Sequence, residues 1–260
     1  MDMQYVNVDV DEAICTITLN RADKRNAVNG AVAAQLRAAF ERFESDDALR
    51  VAVLTGAGGN FCAGADLAAL GDPALRNELD PAGQGSGPMG PTRMHLSKPL
   101  VAAINGYAVA GGLELALLAD LRVADEDAVL GVFCRRWGIP LIDGGTVRLP
   151  RIVGMGRALD LILTGRPVHA PEALAMGLVN RTTPSGGALA AAQMLARQIA
   201  KFPQLCMLTD RRSVYAQWDL PLAEALRQEG ARGVPIVFAE GEAGACRFSQ
   251  GVGRHGHFNA

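Results

Sequence analysis

Apolar and polar residues alternate in YVNVDV (5–10) and again in AICTITLN (13–20), with Asp11-Glu12 between the two runs. Period-two alternation predicts two half-buried strands, and the short polar break predicts antiparallel pairing. From Val28 to Phe43 the period lengthens. Apolar residues at 28, 32, 36, 39/40 and 43 mark one face of an amphipathic helix. RVAVLTG (50–56) is apolar without alternation, as in a strand buried on both faces, and LVAAING (100–106) repeats it. The succession of apolar strand, helix and apolar strand predicts an α/β fold with parallel pairing and right-handed crossovers.

Residues 71–99 change character: they are rich in Gly and Pro, with few large apolar residues before Met94 and Leu96. This reads as a mobile surface segment, either a lid over a site or a plain loop. LRVADEDAVLGVF (121–133) supplies two short strands around a turn. Thr146–Leu163 has helical spacing, with Pro150 expected to break or start an element. APEALAMGLVN (170–180) predicts a short helix stopped at Gly177, then an extended segment. From 186 to 240 the chain is helical, with breaks expected at Pro203, Pro221 and Pro235, and the tail is irregular. The pattern therefore divides into an α/β core over 1–185 and a helical C-terminal region over 186–260.

Composition narrows the function classes. Twenty-five basic and 27 acidic residues leave a net charge of −2, so nothing attracts nucleic acid or an anionic membrane in general. No basic region followed by an apolar stretch opens the chain, and the longest apolar run is too short to span a bilayer. Five widely spaced cysteines without a CxxC pair suggest free thiols in a reducing compartment, and a cytoplasmic protein. His95, His169, His255 and His257 form no metal-ligand pattern, the tail's HGH being a weak match. No Walker-type phosphate loop is present.

Two glycine-rich loops carry the candidate chemistry. TGAGGNFCAGADLAAL (55–70) leaves the strand ending near Thr55, and INGYAVAGGLELALLAD (104–120) leaves the strand ending near Ile104. In open α/β sheets ligands sit beyond the carboxyl ends of the strands, where both loops belong. One backbone N–H from each would bind the oxygen of a carbonyl becoming an enolate. The bland alternative is a tight turn before a helix. Glu114 interrupts the apolar run behind Gly111-Gly112, where burial would raise its pKa toward values useful for proton transfer. Otherwise it is a structural glutamate that caps its helix.

LNRADKRNAVN (19–29), FCAGADL (61–67), NGYAVAGGLELALLAD (105–120) and RIVGMGRALDLILTGRPVHAPEALAMGLVN (151–180) resemble, in order and spacing, the landmarks of the enoyl-CoA hydratase/isomerase (crotonase) family. The resemblance runs from about residue 5 to 250. It implies an α/β crotonase-like spiral of ββα units with a helical C-terminal trimerisation region, assembled as a trimer or a dimer of trimers. It implies an acyl-CoA substrate, with coenzyme A as part of that substrate and no permanently bound cofactor. By motif, Ala65 and Gly111 match the two oxyanion-hole residues and Glu114 the first of the two hydratase glutamates. Asp66 is expected to cap the helix after the first loop. Lys24, Arg25 and Ala63 fall where the family contacts CoA, a basic pair there suiting phosphates; an ordinary solvated turn is the alternative for Lys24 and Arg25.

One departure bears on the reaction. Where hydratases of the family carry a second glutamate in an FGxPE-type segment, this chain has LGVFC, placing Cys134 there. A thiol titrating at about 8.5 does not hold water as a carboxylate does, so ordinary two-glutamate hydration is not expected. Cys134 reads as a pocket-lining thiol, with Trp137 a further lining residue. Asp143, in IDGGTVRLP, resembles the acid of dienoyl-CoA isomerases when aligned from the GT…RLP side; the alternative is an Asx turn that stabilises its own loop. Arg135 and Arg136 are support or interface residues. The function that follows is an acyl-CoA enzyme stabilising an enolate, with two alternatives. These are a double-bond isomerase using Glu114 and Asp143, or a non-catalytic acyl-CoA-binding protein.

Overall fold

A computed structural model gives the structure of residues 3–253; the expectation for His255 and His257 lies outside the described residues. The chain forms two compact units, one ending at Ala200 and the other starting at Lys201.

The alternating runs at the start form β1 (Val6–Asp11) and β2 (Ile14–Leu19), antiparallel, with Val6 opposite Leu19 and Asp11 opposite Ile14. Glu12 takes a left-handed backbone (φ 53) in the turn. The amphipathic segment is α1 (Gly30–Ser45), and it starts where the Asn29 side chain accepts a hydrogen bond from the Val32 N–H (3.1 Å). There follow β3 (Val51–Gly56), β4 (Leu100–Ile104), β5 (Tyr107–Val109), α2 (Gly111–Leu118), β6 (Leu121–Asp125) and β7 (Val129–Gly131). Next come α3 (Gly145–Val153), α4 (Met155–Thr164), β8 (Val168–His169), α5 (Ala170–Ala175), β9 (Arg181–Thr183) and α6 (Ala188–Ala200).

Six strands make the main sheet in the order β1-β2-β3-β4-β6-β9, parallel from β2 onward; β5-β7-β8 make a smaller one. The unbroken apolar runs reflect burial on both faces. Ala52, Leu54, Leu100 and Ile104 share a core with Leu36, Phe40 and Phe43 of α1 and Leu115 of α2. Val51, Val53, Val101 and Ala103 point to the opposite side, onto Ala192, Leu195 and Ala196 of α6.

Several expectations are corrected. The boundary expected at 185/186 falls at 200/201, because α6 lays its small apolar stripe on the main sheet and belongs to the first unit. The strands of 121–133 both form, but in different sheets. Asp125 at the end of β6 accepts hydrogen bonds from the Thr183 hydroxyl and the Gly186 and Ala188 amides, which ties β6 to β9. Pro150 lies inside α3; the interruption of 146–163 falls at Gly154, whose φ of 83 suits glycine. Residues 71–99 hold no helix or strand, but the segment is not merely superficial. Asn77, Met89 and Thr92 are buried, and the Asn77 side chain donates to the Pro88 carbonyl (2.7 Å).

The second unit contains α7 (Gln204–Ala216), α8 (Leu222–Ile236), a π-helical turn (Val237–Gly241) and α9 (Glu242–Ser249). Pro203 and Pro221 precede α7 and α8, as expected, but Pro235 lies within α8. None of the residues of α7, α8 or α9 is buried. Among the described residues, no helix is long and apolar enough to cross a membrane.

Candidate active site

Because β3 and β4 are parallel neighbours, the loops leaving their carboxyl ends start side by side. They are then zipped together. The Cys62 N–H donates to the Tyr107 carbonyl (2.9 Å) and the Val109 N–H to the Cys62 carbonyl (3.1 Å). Glycine is needed for this approach: a Cβ on Gly112 would lie 2.1 Å from the Cys62 carbonyl oxygen, and one on Gly64 3.0 Å from the Gly111 nitrogen. Ala110 holds φ 54 and ψ −127, a backbone rarely adopted by a residue with a Cβ, at the point where the chain turns into α2.

This brings Ala65 and Gly111 to the wall of one cavity. Val28 bonds to the Gly64 carbonyl and the Asp66 amide, on either side of Ala65, so the Ala65 N–H points away from Val28. Gly111 opens α2, where a helix leaves its first N–H groups unpaired. Among the described residues neither amide donates a hydrogen bond, and both residues line a cavity of about 660 Å³. Asp66 caps the 3-10 turn Leu67–Ala69, accepting from the Ala68 N–H (3.1 Å), and pairs with Arg21 (2.6 Å).

Glu114 and Asp143 both line that cavity, each only 3% exposed. Glu114 Oε1 accepts hydrogen bonds from the Asp143 N–H (2.9 Å) and the Gly145 N–H (2.8 Å). Asp143 Oδ1 accepts from the Met89 N–H (2.9 Å) and from the Thr92 hydroxyl. Among the described residues the second oxygen of each carboxylate has no hydrogen-bond partner. Neither is an enclosed, unpartnered atom, a condition met among the described residues only by Asn105 Oδ1, so both open onto the cavity. Burial, and then the neighbouring Asp143 carboxylate, push the Glu114 pKa up to about 7, against the Gly145 and Asp143 amides and the Arg148 charge. Burial also raises Asp143, opposed by the Thr92 hydroxyl, the Met89 amide and the charges of Arg93 and Arg148.

Cys134 and Trp137 line the same cavity from the 3-10 turn Phe133–Trp137. Burial pushes the Cys134 thiol up, with the Glu114 charge adding to the effect. Trp137 is 68% exposed. Arg135 and Arg136 point elsewhere: their guanidinium groups donate to the carbonyls of Ile162 (3.1 Å) and Gly165 (3.0 Å), and Arg136 stacks over Phe133. Lys24 and Arg25 are exposed. They are held beside the first loop, since the Ala63 N–H donates to the Arg25 carbonyl (3.0 Å), and Ala63 lines the cavity. Among the described residues no group of three or more His, Cys, Asp or Glu is arranged to hold a metal.

Thr92, Met89 and Arg148 were not visible as site residues in the sequence. Thr92 and Met89 lie in a Gly/Pro-rich stretch without periodicity, far along the chain from Asp143, and only the tertiary fold joins them.

A family model described as enoyl-CoA hydratase/isomerase matches residues 9–233. The chain is 36% identical over 232 residues to the enoyl-CoA hydratase EchA19 of Mycobacterium tuberculosis, covering 86% of this chain and 85% of that one. It is 34% identical over 255 residues to the carnitinyl-CoA dehydratase of Proteus mirabilis, covering 91% and 96%. The crystal structure of enoyl-CoA hydratase EchA1 from Mycobacterium marinum superposes with a TM-score of 0.87 at 36% identity, over 95% of this chain and 96% of that one. The chain belongs to the enoyl-CoA hydratase/isomerase (crotonase) family and is an enzyme of that type.

Proposed function

We propose that the protein isomerises the double bond of an enoyl-CoA thioester through an enolate, with Glu114 and Asp143 as the proton-handling pair. The observation that carries this reading is that two buried carboxylates each have one oxygen clamped and the other open to the same cavity. The thioester oxygen would rest between the Ala65 and Gly111 amides, each such donor contributing roughly 3 kcal/mol to the enolate-like transition state. One carboxylate takes a proton from the α carbon of a 3-enoyl thioester, and the electron pair delocalises into a dienolate. The other carboxylic acid gives its proton to the γ carbon, leaving the 2-enoyl thioester. Proton exchange with solvent then restores the pair. A carboxyl with its pKa near 7 is suited to both halves of this exchange at neutral pH.

Lys24 and Arg25 flank the first loop and suit the phosphates of CoA, with Ala63 beside them. Cys134 fills space beside the pair and its raised thiol is a poor nucleophile. Exposed Trp218, Leu222, Leu226 and Phe238 in the second unit are of the kind that an interface covers. This supports assembly through the C-terminal helical region, read as the trimer or dimer of trimers that the family resemblance implies, which sedimentation of the intact chain tests.

A second reading is hydration, favoured by the names of the relatives, a hydratase and a dehydratase. Asp143 would then replace the missing second glutamate and share a water with Glu114. Turnover of a panel of 2-enoyl, 3-enoyl and dienoyl thioesters distinguishes the two by product. In either case E114Q and D143N should each lose most of kcat while still binding the thioester. Wild-type turnover in D143N would remove Asp143 from the chemistry. Thioester binding without turnover of any panel member by the wild-type enzyme would leave a binding protein only.

A further inference from the structure

We propose that Thr92 is a positioning residue: its hydroxyl locks one oxygen of Asp143, so that the other faces the substrate and the carboxylate serves as the base of the pair. This inference rests on the proposed role of Asp143. It also gives a function to the Gly/Pro-rich stretch 71–99, which otherwise contributes only cavity wall.

The geometry comes from a single short run, residues 86–93. Thr92 is fully buried and its hydroxyl donates to Asp143 Oδ1. Three residues earlier, the Met89 N–H donates to the same oxygen (2.9 Å). The Met89 side chain packs over the start of α2, where a Cβ on Gly111 would lie 2.8 Å from its sulfur. One segment thus braces both the Asp143 carboxylate and the residue whose amide is assigned to the oxyanion hole.

Two arginines fasten that segment to the Asp143 loop. Arg148 donates to the carbonyls of Thr92 (2.7 Å) and Asp143 (3.1 Å). Arg93 donates to the carbonyls of Gln84 (2.9 Å) and Ile142 (2.8 Å). There is no slack around the lock: a Cβ on Gly87 would lie 2.1 Å from the Thr92 hydroxyl oxygen and 3.2 Å from Asp143 Oδ1.

Division of labour within the pair follows from the donors. Asp143 receives a side-chain hydroxyl, a backbone amide and the fields of Arg93 and Arg148, all of which favour the ionised form. Glu114 receives two backbone amides and the field of Arg148 but, among the described residues, no side-chain donor, and the repulsion between the two carboxylates is mutual. The Thr92 hydroxyl is the donor that Asp143 has and Glu114 lacks, so it is what assigns a shared proton to Glu114 and the role of base to Asp143. The charged and titratable groups facing Asp143 are Glu114 on α2, Arg148 on α3 and Arg93 on the 71–99 stretch. Cys134 shares the cavity wall, and Asp66 and Asp80 lie further along it.

The test is T92V, nearly isosteric but unable to donate, beside T92S, which keeps the hydroxyl. Two readouts are taken: the acidic limb of the pH profile of kcat/KM on whichever panel thioester the wild type turns over, and direct titration of the Asp143 carboxyl by carbon-13 NMR. Loss of the donor raises the pKa of the base, so in T92V both the limb and the NMR midpoint should move up by about one pH unit. T92S should return both to the wild-type position, and KM should change less than kcat. The NMR arm needs no turnover, and T92A stands in if T92V does not fold. An unmoved limb and midpoint in the valine or alanine variant, or failure of T92S to restore them, overturns the proposal. If D143N abolishes turnover while T92V leaves the profile in place, this inference alone falls. If D143N turns over normally, the proposed pair falls with it.

Discussion

The two carboxylates of the cavity are carried by different kinds of structure. Glu114 sits in the first turn of a regular helix, which fixes its backbone, and its carboxylate is clamped by the backbone amides of Asp143 and Gly145. Asp143 sits in an irregular loop just before α3 and takes its orientation from residues 89 and 92, which belong to a stretch without secondary structure. Both are equally buried. Both carboxylates are thus clamped by tertiary hydrogen bonds, but a helix sets the backbone of one, whereas the other depends on a loop and on a side-chain donor. The second kind of placement should be easier to disturb without unfolding the protein.

The largest expected effect breaks the helical side. E114Q should lower kcat by roughly 10²–10⁴-fold with thioester binding retained, as measured by steady-state turnover and calorimetry. The same substitution should stabilise the fold at alkaline pH. The folded-state pKa of Glu114 lies near 7, above its ordinary 4.5, so its contribution to stability is full below about pH 4.5 and is lost as pH rises through 7. Relative to wild type, E114Q should gain on the order of 3 kcal/mol at pH 8 and nothing at pH 4, read from urea unfolding. A flat difference between those pH values would contradict the burial account.

D143N tests the other side, with an expected loss in kcat of about 10²-fold. The double variant E114Q/D143N should lose far less than the product of the two singles, because the residues act as one unit. Independent, multiplying losses would mean that the carboxylates do separate jobs. The zipped loops are tested by G112A, whose methyl group would collide with the Cys62 carbonyl. It should cost about 3 kcal/mol of stability by urea unfolding and reduce turnover, because the loops must part. C134A should change kcat by less than about threefold, since the protonated thiol only lines the cavity. A large loss there would give the cysteine a chemical role.

How much of this could be read from the chain alone follows the same division. The β1–β2 hairpin, α1 and the two buried strands announce themselves by period, because burial on one or both faces sets their sequence. Ala65, Gly111 and Glu114 lie on motifs whose glycines are demanded by local backbone contact. Asp143 was legible only as a candidate, because its partners are 51 and 54 residues away along the chain. Thr92 carried no signal at all: a threonine among glycines and prolines looks like loop until the fold buries it. The break at Pro150 failed because one missing N–H does not outweigh the packing of α3, and Gly154, with its positive φ, ends the helix instead. The end of the first unit at Ala200 is not marked in the pattern, because α6 reads as a helix like the segments after it and only the burial of Ala192, Leu195 and Ala196 against the sheet shows where it belongs.

The central claim is that both carboxylates face one thioester bound at the Ala65 and Gly111 amides. A crystal structure of the E114Q protein with a slowly turned-over enoyl-CoA tests it most directly. The account predicts the thioester oxygen within about 3 Å of both amide nitrogens, with the reacting carbons in reach of the side chain at 114 and of the free Asp143 oxygen. A thioester bound with its oxygen away from those amides, or with Asp143 turned from the acyl chain, would contradict it.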